Sequence, residues 1–279
     1  MKEKILPVGI CQLKQGYDFE KNLGRALEMI DEAAGNGSKV AVLPEMFITP
    51  YEPSSIKKAA NFTQTALAEL KGRAIDNKIF IVAGSMPFDT GVDRYFNRSV
   101  VIDPAGHEVH QHDKIHLFDC NPPGEQQITE SDIIMPGDSV GAFNTPWGIS
   151  SIIVCYDIRF TPLTQVLIDK GVSVLFVPAA FSLATGKAHW EMLVRMRAVE
   201  LQGVVVGVQP AYNACLGYKP YGHSIVASPW GEVIVDTGED ECVKTANVDL
   251  QKIDEIRSMF PLLEHRRKDL YTTTWQGSS

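Results

Sequence analysis

Residues 148–170 read "GISSIIVCYDIRFTPLTQVLIDK". Gly148 and the run 149–154 have the β-branched, apolar character of a buried strand. Residues 161–170, "TPLTQVLIDK", read as a helix opened by Thr161 as cap, with Pro162 in the first helical position, where its missing N–H costs nothing. A strand that passes through a short turn into a helix is a βα unit, and the same succession recurs along the chain. "ILPVGICQL" (5–13) is a strand. Asp18 caps a helix with Leu23, Leu27, Ile30 and Ala34 at helical spacing, and Gly35 and Gly37 end it. "KVAVLPE" (39–45) is a buried strand, 61–77 a helix, and "IFIVAGS" (79–85) a strand. "SVLFVPAAF" (173–181), "HWEMLVRMRAVELQG" (189–203) and "VVVGVQ" (204–209) repeat strand, helix, strand. The alternation indicates an α/β domain.

Two segments echo each other. "SVVIDPAGHEV" (99–109) and "SIVASPWGEVI" (224–234) are both strand, Pro-x-Gly turn, strand, with Pro104 and Pro229 125 residues apart. "VAVLPEMF" (40–47) and "VLFVPAAF" (174–181) match with Pro44 and Pro178 134 apart. Similar offsets predict two topologically alike halves, whose sheets pack face to face with helices outside. Chance likeness between β-rich segments is the competing explanation. No Pro-, Gly- or Ser-rich linker divides the chain, so residues 1–279 read as one domain, with 259–279 as a C-terminal extension.

The composition excludes several function classes. With 44% hydrophobic and 22% charged residues, the 279-residue chain can bury a sizeable core. A net charge of −8 argues against nucleic-acid binding, which needs clustered Lys and Arg. No apolar run approaches the roughly 18–20 residues of a membrane span. The N-terminus lacks the long apolar stretch and small-residue cleavage site of a signal peptide, which points to the cytosol. Five cysteines without a CxxC pair speak against a disulfide framework or structural zinc.

Cys155 closes the 149–154 strand. A cysteine there is often only a small buried hydrophobe. Its place in a strand-to-helix turn, however, is where a side chain projects from a sheet's end and backbone N–H groups converge, as in a nucleophile elbow. A thiol nucleophile needs a base. Glu45, directly after Pro44 at a strand terminus, can supply one; otherwise it is a solvated loop acid. Lys114, in "HEVHQHDKIHLFD" (107–119), can lower a thiol's pKa or hold a developing oxyanion; otherwise it is a surface lysine. His107, His110, His112 and His116 in the same stretch invite a metal reading, and on a strand His110 and His112 share a face. No HExxH or carboxylate–histidine signature accompanies them. There is also no GxGxxG or GxxxxGK[ST], so a nucleotide cofactor has no support.

Taken together, "LPEMF" with Glu45, "DKIHLFD" with Lys114 and "VCYDIRF" with Cys155 resemble the nitrilase superfamily of carbon–nitrogen hydrolases. Further similarity in "ESDIIMPGD" (130–138), "AHWEMLVRMRAVE" (188–200), "GHSIVASPWGEV" (222–233) and "DLYT" (269–272) extends the resemblance over nearly the whole chain, toward the ω-amidase or Nit2-like branch. The resemblance implies a four-layer α-β-β-α sandwich and a homodimer. It implies Glu45 as base, Lys114 as oxyanion stabiliser, Cys155 as nucleophile, and Glu130 as the acid that holds the substrate amide and the lysine. The backbone N–H of Tyr156 is the expected second oxyanion donor. No metal or organic cofactor is required. The substrates implied are small carboxylate-bearing amides, such as 2-oxoglutaramate and 2-oxosuccinamate. Tyr51 is the first candidate to receive the carboxylate, Arg159 and Arg197 the next, and Phe181 a candidate pocket wall. Thr161-Pro162-Leu163 stands where relatives often have Pro-Glu-Leu, and "SSIIVCYD" replaces a more Gly-rich lead-in. These departures put specificity in question rather than chemistry. The alternatives are another small-amide or carbamoyl hydrolase of the same superfamily and, from a different class, a metal-dependent hydrolase using the His107–His116 cluster.

Overall fold

A computed structural model describes residues 3–277. The first strand, β1 (Ile5–Gln12), leads into α1 (Phe19–Gly35), whose first turn is capped by Asp18 accepting from Lys21 N–H at 3.1 Å. The helix runs through Gly35 to a cap at Asn36, and it buries Ala33 rather than Ala34. Next come β2 (Val40–Val42), α2 (Pro53–Ala59), α3 (Thr63–Asn77), β3 (Phe80–Val82), β4 (Met86–Asp89), β5 (Tyr95–Ile102) and β6 (Glu108–Asp113). Three short strands follow, β7 (Asp119–Cys120), β8 (Ile128–Thr129) and β9 (Ile134–Met135).

The second half begins with β10 (Phe143–Thr145), β11 (Gly148–Ile152) and α4 (Thr161–Asp169). It continues through β12 (Val174–Pro178) and a one-turn α5 (Leu183–Thr185) that passes by a π turn into α6 (Glu191–Leu201). The chain closes with β13 (Val204–Val208), β14 (Ile225–Ala227), β15 (Val233–Asp236), β16 (Cys242–Asp249) and α7 (Gln251–Met259).

The internal echo is topological. In one sheet β1, β2 and β3 pair in parallel, β5 joins β3 antiparallel, and β6 joins β5 antiparallel. In the other, β11, β12 and β13 are parallel, and β14 and β15 follow antiparallel. Even the flanking strands correspond: β16 lies antiparallel to β1, and β10 to β11. Both Pro-x-Gly turns place their glycine, Gly106 and Gly231, at nearly the same left-handed φ, 83° and 81°.

Three apolar layers hold the sandwich. Leu6, Val8, Ile10, Val40, Val42 and Val82 face Ile152, Val174, Phe176, Val204 and Val206 across the sheet-to-sheet interface. The outer face of the first sheet packs on α1 and α3 through Leu27, Ile30, Ala41, Leu43, Leu67 and Leu70. That of the second packs on α4 and α6 through Leu167, Leu175, Val177, Val194 and Leu201. The parallel strands are apolar at nearly every position because both faces are covered. Each fully buried Val, Leu or Ile contributes about 1.5–3 kcal/mol relative to exposure.

One sequence expectation needs correction. Thr161 is not the cap of α4: Phe160 holds that position without a side-chain bond, and the Thr161 hydroxyl accepts from Arg197 Nη2 at 3.2 Å. The 259–279 extension, described as far as Gly277, folds back on its own chain, where Arg266 and Lys268 pair with Asp169 at the end of α4 and Leu263 and Trp275 pack on the outer core. Among the described residues no helix is long and apolar enough to cross a membrane.

Candidate active site

The site forms where strand ends of the two halves meet. Glu45 lies three residues past β2, in a loop held by Gln15 Nε2, which donates to the Met46 carbonyl at 2.8 Å, and by Ser85 Oγ, which accepts from Met46 N–H at 3.0 Å. Lys114 directly follows β6. Cys155 follows β11 and opens a 3₁₀ turn, Cys155–Arg159. Its φ of 47° is left-handed, a conformation that costs a non-glycine residue about 1–3 kcal/mol and persists only where surroundings enforce it. The elbow expected from the strand-turn-helix pattern is therefore present in the backbone itself.

Glu45 and Lys114 are both 0% exposed, against the alternatives of a loop acid and a surface lysine. Lys114 Nζ donates to Glu45 Oε1 at 3.0 Å, to Glu130 Oε2 at 2.9 Å and to the Tyr51 hydroxyl at 3.1 Å. Glu130 also accepts from Phe118 N–H at 2.6 Å. Burial pulls the Lys114 ammonium down, but Glu130 and Glu45 outweigh it and hold it well above the usual lysine range. Burial pushes the Glu45 carboxyl up, with Glu130 adding and Lys114 opposing. The Cys155 thiol is likewise held well above its ordinary value, by burial first and by Glu45 second. The resting thiol therefore keeps its proton, and a more basic carboxylate stands beside it. Such a pair can pass the proton as the sulfur attacks. Lys114 supplies a fixed positive charge in a dry pocket, where charge acts strongly.

Cys155 and Lys114 share one small pocket with Tyr51, Phe118, Tyr156, Arg159, Ala180, Phe181, Thr185 and Tyr218, about 250 Å³ with its open mouth included. That volume suits a small molecule. Arg159 reaches it with its guanidinium 4.8 Å from the Phe181 ring centre, bonded to His189 Nδ1 at 3.2 Å, while its Nε is buried without a partner. Arg197 does not reach it: its guanidinium is engaged by the Ile158 carbonyl at 2.7 Å, by Thr161 and by Glu200. Arg197 thus lies outside the pocket, contrary to the expected substrate contact.

The four histidines do not share one site. His107 pairs with Asp103 in the hairpin turn, His110 stacks on Phe143 with ring centres 4.8 Å apart, and His112 and His116 bond Asp157. Among the described residues no three His, Cys, Asp or Glu side chains are disposed to hold a metal ion. The metal-hydrolase alternative loses its ligand set on this geometry.

Three contributors escaped the sequence reading. Asn97, buried on β5, donates to Glu45 Oε1 at 2.8 Å and to Glu130 Oε1 at 3.3 Å. Its strand reads "YFNRSVVI", where Arg98 and Ser99 follow directly, so nothing marked Asn97 as the buried polar residue of the site. Tyr218 packs against Tyr51 and donates its hydroxyl to the Ala180 carbonyl, and Thr185 stands at the pocket wall. Both lie in loops or a one-turn helix that no periodicity marks.

The carbon-nitrogen hydrolase family model matches residues 7–258. The chain belongs to the carbon–nitrogen hydrolase family. Among its relatives, an ω-amidase NIT2 of Danio rerio is 41% identical over 95% of this chain and 96% of that protein. The Saccharomyces cerevisiae Nit3 structure, from branch 10 of the nitrilase superfamily, superposes with a TM-score of 0.86 at 32% identity, covering 95% of this chain and 98% of that one. The NitFhit protein of C. elegans superposes with a TM-score of 0.93 at 31% identity over 100% of this chain and 69% of that one. The fold is thus the α-β-β-α sandwich of the nitrilase superfamily, in its Nit2 branch. This carbon–nitrogen hydrolase acts on non-peptide C–N bonds of the amide type.

Proposed function

We propose that the protein hydrolyses a small carboxylate-bearing amide, such as 2-oxoglutaramate or 2-oxosuccinamate, to the dicarboxylate and ammonia through a thioester on Cys155. The observation that carries this reading is that Lys114 and Cys155, from two strand ends, line one small pocket that also holds an arginine, with Glu45, from a third, bonded to Lys114 behind it. Glu45 takes the thiol proton as Sγ bonds the amide carbon. The oxyanion is held by Lys114 Nζ and the N–H of Tyr156, which stands at the start of the 3₁₀ turn, where backbone donors have no carbonyl one turn earlier to bond. Such donors are worth about 2.7–4 kcal/mol each. The C–N bond then breaks, with the proton passing from Glu45 to the leaving nitrogen as ammonia departs. Water attacks the thioester, Glu45 takes its proton, and that proton returns to the sulfur as the acid leaves. Glu130, with Asn97, holds the Lys114 ammonium and the Glu45 carboxylate in register.

The distal carboxylate fits Arg159, whose buried Nε lacks a partner, with Thr185 and Tyr51 at the same walls. Phe181 backs the guanidinium. Ammonia release across 2-oxoglutaramate, 2-oxosuccinamate, glutamine, asparagine, an N-carbamoyl amine and a simple nitrile tests the reading. The two 2-oxo acids should lead, and a leading carbamoyl compound would transfer the site to another amide class.

The same reading makes this a single catalytic domain, a cytosolic enzyme and a homodimer. Five cysteines without a disulfide suit a reducing compartment. Exposed Trp230, Met259 and Phe260, with Met192 and Met196 on α6, give an apolar surface suited to a second copy. Light scattering of the purified protein should return twice the chain mass.

A further inference from the structure

Asp157 lies two residues beyond Cys155 and is fully buried. Its carboxylate accepts from both sides of the site. On one side Oδ2 takes the N–H of Val154 at 3.1 Å, the residue just before Cys155. On the other side the carboxylate takes His116 N–H at 2.9 Å and Ile115 N–H at 3.5 Å, the two residues just after Lys114. Two imidazoles complete the set, His112 Nε2 at 3.0 Å and His116 Nδ1 at 2.8 Å. The His116 ring then stacks flat on Phe160, where the 3₁₀ turn ends, at 3.6 Å between centres. Neither Asp157 nor any of these donors lines the substrate pocket, so none is used in the chemistry above.

We propose that Asp157, gripped by His112 and His116, is a positioning residue that fastens the Lys114 strand end to the Cys155 turn and so fixes the thiol against the ammonium. Every donor to the Asp157 carboxylate sits within two residues of Lys114 or Cys155, and the two groups of donors belong to different sheets, at the end of β6 and just after β11. A left-handed cysteine needs surroundings that over-determine it. A carboxylate with its lone pairs engaged is a stiff fastener, because loss of any donor leaves a buried charge partly unsatisfied. Two of the histidines that invited a metal reading thus serve a buried anion instead, His112 and His116 each donating an N–H to it. The buried His112 Nδ1 has no partner, so Nε2 is the ring atom that engages the protein.

The inference rests on the amidase reading for its kinetic arm only. Rates with 2-oxoglutaramate and alkylation of Cys155 by iodoacetamide, followed on its peptide by mass spectrometry, are compared for Asp157→Asn, His112→Gln and His112→Leu. Thermal melts check the fold of each. A Gln amide can still donate to Asp157, whereas Leu keeps the bulk and loses the donor. Asp157→Asn and His112→Leu should lower kcat about 100-fold, the loss expected for a misplacement near 1 Å. Their KM should stay within about 3-fold, and alkylation of Cys155 should change by about 10-fold or more, whereas His112→Gln should remain within about 5-fold of the parent in all three. Equal losses in the Gln and Leu variants, or a loss confined to KM, would overturn the proposal. If the buried variants do not fold, an Asn and Leu pair at the partly exposed His116, where an Asn amide can replace the Nδ1 donor, decides by the same criteria. If the parent protein does not hydrolyse 2-oxoglutaramate, the substrate reading fails by itself, and the alkylation comparison still decides the positioning role.

Discussion

At the residue scale, four ionisable groups share one dry space. Burial comes first, and two carboxylates, one ammonium and one thiol leave the cluster short of positive charge, so Glu45 holds a proton above the ordinary carboxylate range. Activity as a base requires the ionised form, so kcat/KM should rise as pH climbs through that raised value. Glu130 is one of the charges that raises it. In Glu130→Gln the acid limb of the kcat/KM profile should therefore move to lower pH, even as the maximum falls about 10-fold or more from the slackened lysine. An acid limb that stays in place would show that Glu45 does not titrate in catalysis. Arg159→Gln should raise KM for 2-oxoglutaramate about 10- to 100-fold, the worth of one charged hydrogen bond, with a smaller change in kcat. An unchanged KM would remove Arg159 from the substrate subsite. The chemical types at positions 45, 114 and 155 were legible because each closes a strand-like run at its terminus. Their burial was not legible, since an isolated Glu or Lys after a strand reads equally well as solvated. Arg197 misled because an arginine near a pocket-lining segment carries no mark of which way it faces.

At the element scale the strands are shorter than their apolar runs. "KVAVLPE" yields a strand of three residues, Val40–Val42, because Pro44 cannot donate to a ladder and the chain must leave the sheet to present Glu45. The same geometry makes Gly84 a critical position. Its φ is 53°, and a Cβ there would lie 2.0 Å from the Pro44 carbonyl oxygen, one residue before Glu45. Gly84→Ala should destabilise the fold by about 2 kcal/mol or more, read as a shifted urea midpoint. It should also depress kcat in whatever fraction folds, since the clash acts on the loop that carries the base. Wild-type stability in this variant would mean that the Pro44 loop is freer than its contacts indicate. Helix boundaries followed the caps where a side chain caps, as at Asp18, and slipped where one does not, as at Thr161.

At the scale of the whole molecule, the likeness of the two halves explains how the site is assembled. Strands of the two halves end at one rim, where Glu45 N–H meets the Ala179 carbonyl at 3.4 Å, and the ends of β2, β6 and β11 there let residues 45, 114 and 155 meet although they are far apart in sequence. Paired echoes at similar offsets were the only sequence signal for that arrangement, and the matching strand orders account for them. The fold's response to acid belongs to this scale as well. His110 lies between the β6 face and Phe143, and burial lowers it from 6.5 to about 4, with His112 adding to the shift. Its folded value lies below its unfolded one, so the unfolded chain binds the proton first. Stability should therefore fall as pH drops from about 6.5 toward 4, with the denaturant midpoint as the measure. In His110→Phe that part of the fall should shrink; an identical pH dependence in both proteins would place the linkage elsewhere.

That Cys155 carries the acyl group is tested most directly by mass spectrometry of enzyme quenched in acid during turnover of 2-oxoglutaramate, with the modified peptide sequenced. The predicted result is an acyl adduct on Cys155 that vanishes once substrate is exhausted, together with loss of ammonia release in Cys155→Ala. An adduct on any other residue, or full turnover by Cys155→Ala, would contradict it.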